Sequence, residues 1–194
     1  MASTAIGPVV PGMALFAVTR GQWSMIDAIL HVLDQVGPSA VSLWTWTVAE
    51  YEVQVLGRLR DDGRVTGGRL IIDAGARGKN AGIIRDWRAK FDDAPGVGSV
   101  RYVTNHSKIA RVSSASGLRV LMRGSLNLNF NPRFEQFDIT EGGPDFDLVK
   151  RIEDELPALP DDCSGQEVWR ASKVGDAFEP AQLAMFGGLK VWAK

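Results

Sequence analysis

Short strand-like runs alternate with segments of helical periodicity along most of this chain, and this alternation restricts its fold more than any other feature. The apolar run at 69–74 is compact enough for a strand at the centre of a sheet. Apolar residues at 25–33 recur at helical spacing behind Ser24, a candidate helix N-cap. The remaining strands are predicted at 13–19, 41–46, 97–104, 108–112, 119–123 and 137–140, and the remaining helices at 47–59, 83–91 and 145–156. The pattern predicts an α/β domain with a mixed central sheet flanked by helices.

Helix ends and domain limits follow from local signals. Thr47 and Glu50 have the spacing of a capping box, in which a hydroxyl and a carboxylate satisfy the first free backbone amides. Asp145 is the expected N-cap of the last helix, and Pro157 ends that helix. We therefore predict one domain over residues 1–156, followed by a C-terminal extension over 157–194 that packs on it.

The composition excludes several classes of protein. With 194 residues, 45% of them hydrophobic and 23% charged, the chain has the profile of a globular domain with one core. Cys163 is the only cysteine, which excludes an internal disulfide and a thiolate zinc cluster. No apolar run approaches the roughly 18–20 residues of a membrane span, and no convincing signal peptide is present. We expect a cytoplasmic protein without a membrane segment.

Charge is distributed unevenly along the chain. Residues 1–56 carry one Lys or Arg against four Asp or Glu, which is a net charge of −3. Residues 57–133 carry 15 against six, and residues 134–194 carry six against 13, so their net charges are +9 and −7. A block of +9 is a reason to consider an anionic ligand such as nucleic acid. The alternative is that its arginines lie on ordinary solvated helix faces.

The two histidines have different surroundings. His31 lies inside a predicted helix and is interpreted as structural. His106 opens a strand-like segment, and Lys108 follows it at the spacing that places two side chains on one face of a strand.

A second polar group follows one hairpin later. Ser125 and Asn127 have the same spacing of two, and Glu135 precedes the last predicted strand. An imidazole near an ammonium, a hydroxyl and a carboxamide provides a nucleophile or proton carrier beside donors suited to phosphate oxygens.

These residues carry a resemblance to a known family. The run H-S-K at 106–108, then G-S-L-N at 124–127 and a later Glu135, resembles the phospholipase D superfamily, whose signature is H-x-K-x4-D followed by G-S-x-N and Glu. The order of strands and helices over about 12–156 also resembles the half-domain of that family. The resemblance implies a phospholipase D-like α/β fold.

The resemblance also implies a mechanism. Family members bring two H-x-K sites together, so that one His attacks phosphorus and the other protonates the leaving oxygen, while Lys and Asn neutralise the nonbridging oxygens. His106, Lys108 and Asn127 would have these roles, Ser125 would contact the substrate, and Glu135 would orient a His by accepting its ring N–H. A chain with one motif needs a homodimer. No metal or other cofactor is expected, and a nuclease acting on nucleic acid, DNA in the first place, is the implied activity.

The chain departs from the signature at one position, which leaves alternatives open. Ser113 stands where the family has Asp. A nucleic-acid-binding protein of the same fold with little catalysis is therefore one alternative, and a phosphodiesterase for a smaller phosphoester is another.

Two further features are ambiguous. The Gly-rich loop at 75–82 carries Arg77 and Lys79, which either contact a nucleic-acid backbone or lie in an ordinary connection. Trp44 and Trp46 either stack on bases or, as is commoner for strand tryptophans, lie in the core.

Overall fold

The fold is built on one mixed sheet. The computed structural model describes residues 2–93, 98–129 and 132–173. In these residues the sheet has the strands β1 (Ala14–Val18), β2 (Ser39–Thr45), β3 (Val65–Asp73), β4 (Val100–Val103), β5 (Ile109–Ser114), β6 (Arg119–Gly124) and β7 (Gln136–Glu141). The helices are α1 (Ala2–Ile6), α2 (Met25–Val36), α3 (Glu50–Asp61), α4 (Ala81–Phe91), α5 (Pro144–Glu155) and α6 (Gly165–Ala171).

The strand order in the sheet is β1-β7-β6-β5-β2-β3-β4. Strands β2, β3 and β4 run parallel, each pair joined by a crossover helix, and the other neighbouring pairs are antiparallel. The predicted α/β class and mixed sheet are therefore confirmed.

Helices cover both faces of the sheet. The main core lies between the sheet and helices α2, α3 and α4, with fully buried side chains such as Ile29, Leu56 and Trp87. Helix α5 covers the opposite face, where Phe146 packs on Leu121. None of the helices in the described ranges is long and apolar enough to cross a membrane.

Two predicted helix starts are wrong. Helix α3 begins after Ala49, and the carbonyl of Thr47 instead accepts a hydrogen bond from the Thr45 hydroxyl at 2.5 Å. Helix α5 begins after Gly143, which has a φ of 85°, and has Pro144 in its first turn in place of an Asp145 cap. Helix α3 thus begins later than the Thr47 signal indicated, and helix α5 begins earlier than the Asp145 signal indicated.

The first part of the C-terminal extension packs on the domain. Helix α6, which the sequence did not predict, contacts β4, and the Ser172 hydroxyl accepts the backbone N–H of Thr104 at 2.9 Å. The predicted boundary at 156 stays a prediction. Residues 174–194 lie outside the described residues, as does the start at 97 of the predicted fourth strand.

Candidate functional site

One edge of the sheet collects the residues that the sequence singles out. His106 and Lys108 precede β5, residues 125–127 follow β6, and Glu135 precedes β7. The registers place the end of β2 beside the start of β5, and the start of β5 beside the end of β6. The chain thus brings the two halves of the motif to the same edge.

His106 and Lys108 are in direct contact. The ammonium of Lys108 lies 3.0 Å from Nδ1 and 3.3 Å from Nε2 of the His106 ring, and donates a hydrogen bond to the His106 carbonyl at 2.6 Å. The Lys108 side chain is buried whereas the imidazole is exposed. Burial lowers the pKa of Lys108 below its usual 10.5, and attraction to Glu135 acts in the opposite direction. The site therefore holds a desolvated cation beneath an accessible imidazole.

Asn105 fixes the segment that carries the histidine. Its side-chain oxygen accepts the Ser107 N–H at 2.8 Å, its side-chain nitrogen donates to the Thr45 carbonyl at 3.2 Å, and its backbone N–H donates to the Asp73 carboxylate at 2.8 Å. This is the geometry of an Asx turn tied to two neighbouring strands. The sequence analysis did not single out Asn105, although an Asn directly before His106 is a signal for such a turn.

Ser125 and Glu135 form a second pair. The Ser125 hydroxyl donates to the Glu135 carboxylate and accepts the Gln136 N–H at 3.1 Å. Gly124 allows this close approach, because a Cβ there would clash with the carbonyl oxygen of Gln136. The structure brings Glu135 to Ser125, and its role in orienting a histidine stays a prediction.

Asn127 turns toward β2. Its side-chain oxygen lies 3.5 Å from the buried Thr45 hydroxyl, which also accepts the Leu128 N–H at 3.3 Å. The alternation expected for a strand does not apply here, since residues 125–127 and 106–108 lie outside β6 and β5. Ser125 and Asn127 consequently have different partners, although both lie at the site edge.

Ser113 lies far from this edge. It is five residues beyond Lys108 along β5, which corresponds to roughly 16 Å of extended strand. Its hydroxyl accepts a hydrogen bond from Arg111 at 2.8 Å. The position at which the sequence differs from the signature, Ser113, therefore lies within β5 and away from the site edge.

The two cations of the 75–82 loop differ. Arg77 donates to the carbonyl of Cys163 at 2.9 Å and lies over the ring of Tyr102, 5.5 Å from its centroid. This guanidinium contacts the C-terminal extension, and its contact with a nucleic-acid backbone stays a prediction. Lys79 is exposed and stays a candidate contact.

The remaining candidate side chains lie in structural positions. His31 is half-buried, and its Nε2 lies 2.7 Å from the carbonyl oxygen of Gly7. Cys163 is buried. Within the described ranges no group of three or more His, Cys, Asp or Glu side chains is arranged to hold a metal ion.

Comparison with solved structures gives a match at low sequence identity. The chain matches Nuc from Salmonella typhimurium, described as a phospholipase D family member, with a TM-score of 0.49. The match has 14% sequence identity and covers 73% of this chain and 92% of Nuc. No protein-family model and no curated protein matches the chain. This match establishes neither a family nor an activity for the chain, so an activity has to be inferred from the side chains of the site.

Proposed function

We propose that this protein is a phosphodiesterase that cleaves nucleic acid, DNA in the first place, through a phosphohistidine intermediate. The observation that carries the proposal is the contact of 3.0 Å between the Lys108 ammonium and the His106 ring at an exposed sheet edge. Ser125, Asn127 and Glu135 lie at the same edge. A nucleophile, a fixed cation and uncharged hydrogen-bond donors are the groups that phosphoryl transfer requires.

The reaction has two balanced steps. In the first, a ring nitrogen of His106 attacks phosphorus, the bond to the leaving oxygen breaks, and that oxygen takes a proton from a second histidine. In the second, water attacks the phosphohistidine, the second histidine takes a proton from the water, and the N–P bond breaks. Lys108 and the amide group of Asn127 donate to the nonbridging oxygens in both steps.

The second histidine comes from a second copy of the chain. Each chain carries one H-x-K motif, so a two-fold dimer with the site edges facing each other supplies the missing proton donor. Apolar side chains border the site on the side of β7 and β1: Phe134 is 75% exposed and Val18 is 47% exposed. The backbone N–H of Thr19 donates to the Glu135 carbonyl at 2.9 Å, which keeps this apolar border next to the site. A partner subunit would bury this surface.

Cleavage in the presence of EDTA tests the activity. Purified protein is incubated with single- and double-stranded DNA and RNA, with His106→Ala as the inactive variant and His31→Ala as the matched control. We expect the wild-type protein and His31→Ala to cleave in EDTA and His106→Ala to be inactive. Binding without cleavage, in EDTA and with added divalent ions, would refute the nuclease and favour a nucleic-acid-binding protein. Cleavage restricted to a small diester such as bis(p-nitrophenyl) phosphate would favour the smaller phosphoester.

Sedimentation tests the dimer. Phe134→Asp should produce a monomer with little activity, because the charge prevents burial of the border next to Glu135. Ile152→Asp, on the exposed side of α5 and 37% exposed, is the matched control and should stay dimeric. A fully active monomer at micromolar concentration would contradict the proposal.

A further inference from the structure

The structure distinguishes two tryptophans that the sequence alone left equivalent. Trp44 is half-buried, and its indole N–H donates to the buried carboxylate of Glu153 at 2.8 Å. Trp46 lies just past the end of β2 and is 45% exposed. Trp44 therefore belongs to the packing beneath α5, whereas Trp46 presents an aromatic surface to solvent at the site edge.

Trp46 is tied to both halves of the motif through its neighbour in the chain. Thr45 accepts Asn105 Nδ2 at its carbonyl and lies 3.5 Å from Asn127 Oδ1 at its hydroxyl. Asn105 directly precedes His106. Because paired strands lie about 4.8 Å apart, an aromatic ring at the end of β2 is within one nucleotide of a phosphate at the start of β5.

Trp46 also lies on the side of the site that faces Lys79, the exposed cation of the loop at 75–82. The sheet order places β2 between β5, which begins directly after Lys108, and β3, which leads into the loop with exposed Lys79. A strand of nucleic acid with one phosphate at Lys108 that continues toward Lys79 passes over the end of β2. The apolar border formed by Phe134 and Val18 lies on the opposite side of β5.

We propose that Trp46 stacks on an unpaired base next to the phosphate bound at His106 and Lys108, so that the substrate is single-stranded nucleic acid. This inference rests on the proposed function and adds the substrate class. A base inside a duplex is stacked on both faces, and a side chain can stack only on a base that has left the duplex stack. Trp46 would contact the aromatic face of a base, which DNA and RNA both provide.

Binding to strands with and without bases tests the proposal. The measurements use the full chain carrying His106→Ala, which prevents cleavage, and fluorescently labelled 12-residue single strands of DNA and RNA. A matching DNA strand has abasic sites in place of its central nucleotides. Trp46→Ala should weaken binding to the intact strands by about fivefold to a hundredfold and change binding to the abasic strand and to duplex DNA little. Trp46→Phe should recover most of the loss.

The control variant is Trp169→Ala. Trp169 is an exposed tryptophan on α6 whose ring faces the ammonium of Lys173, and its removal should change binding little. An equal loss for Trp46→Ala on intact and abasic strands would overturn the proposal, as would a change in oligomeric state that explains the loss. A loss on DNA or on RNA alone supports stacking and identifies the accepted strand. If no nucleic acid binds in any arm, the proposed function fails; if binding persists but ignores Trp46, only the stacking fails.

Discussion

The buried ammonium of Lys108 lowers the stability of the folded protein, although the proposed function requires its charge. Its side chain is 7% exposed, and its ammonium donates to the His106 carbonyl at 2.6 Å. Burial lowers the pKa of this group below 10.5, so the folded protein disfavours the charge that phosphate binding requires. Burial of this cation without a bound phosphate therefore lowers the free energy of unfolding, and substrate binding would offset that loss.

Replacing Lys108 should therefore stabilise the protein while inactivating it. Because the pKa is lowered by folding, the unfolded chain binds more protons between the lowered value and 10.5, and stability increases as pH rises through that window. Lys108→Met should raise the free energy of unfolding at pH 7 by on the order of 1 kcal/mol. This gain should disappear above pH 10.5, and turnover should be lost. Urea denaturation at pH 7 and pH 11 measures the effect, with Lys90→Met, at an exposed ion pair with Asp61, as the control. A less stable Lys108→Met protein at pH 7 would show that the ammonium's hydrogen bonds outweigh its desolvation.

One buried carboxylate of helix α5 bonds to two strands of the sheet. Glu153 is fully buried and accepts hydrogen bonds from Ser42 at 2.6 Å, from Trp44 at 2.8 Å and from Arg111 at 2.5 and 3.0 Å. These donors come from β2 and β5, the strands that end or begin at the site. The ion pair therefore lies beneath the elements that position His106.

Removal of this carboxylate should be costly. Glu153→Ala leaves the Arg111 guanidinium buried without its ion-pair partner, and we expect a loss of about 3–5 kcal/mol. The double variant Arg111→Met, Glu153→Leu should recover most of that loss, since a buried pair is often replaceable by apolar side chains of similar volume. Thermal and urea unfolding of both variants measure the effect. A loss below about 1 kcal/mol in Glu153→Ala would show that solvent reaches Arg111.

The elements could be predicted from the sequence where their signals are local. The strand runs and the apolar periodicity of α2 depend on neighbouring residues and were located to within a few residues. Helix α6 could not be predicted in this way, because seven residues carry too little periodicity and the helix is held by contacts such as Thr104 to Ser172. The predicted cap at Thr47 is wrong because the chain stays extended beyond it: Val48 forms a β-bridge with Leu128, and the Ala49 N–H donates to the Leu128 carbonyl at 2.8 Å.

The same distinction applies to the site. The contact of His106 with Lys108 joins residues two apart and was predicted, although the strand on which the prediction relied begins only at Ile109. The contact of Asn105 with Asp73 spans 32 residues, and that of Thr45 with Asn127 spans 82, so both depend on strand order. Which of Trp44 and Trp46 is exposed likewise depends on the packing of α5, because Trp44 donates to Glu153, 109 residues away, and no local pattern contains that contact.

Over the whole molecule, the basic block is largely neutralised by folding. Within the described residues, eight of its 15 Lys and Arg side chains form ion pairs, and most partners are carboxylates from outside the block. Arg77 is used to hold the C-terminal extension. The positive charges of residues 57–133 are therefore used mainly in ion pairs with the acidic segments before and after them. Among the described residues of the block that form no such ion pair, Lys108 lies at the site edge, the exposed Arg133 lies two residues before Glu135, and the exposed Lys79 lies in the loop after β3. The exposed Arg58 and Arg85 lie on α3 and α4.

The salt dependence of binding should report this neutralisation. If nine positive charges contacted phosphates, the logarithm of the affinity for a single strand would fall with the logarithm of salt concentration at a slope of about −6. With contacts limited to the site edge, we expect a slope shallower than about −3. Lys79→Glu should flatten it by about 1, because one fewer counterion is released, whereas Lys90→Glu on the surface of α4 should leave the slope unchanged. Fluorescence anisotropy between about 50 and 200 mM salt measures these slopes. A slope near −6, unaffected by Lys79→Glu, would show that the ion-paired arginines exchange their carboxylates for phosphates when nucleic acid binds.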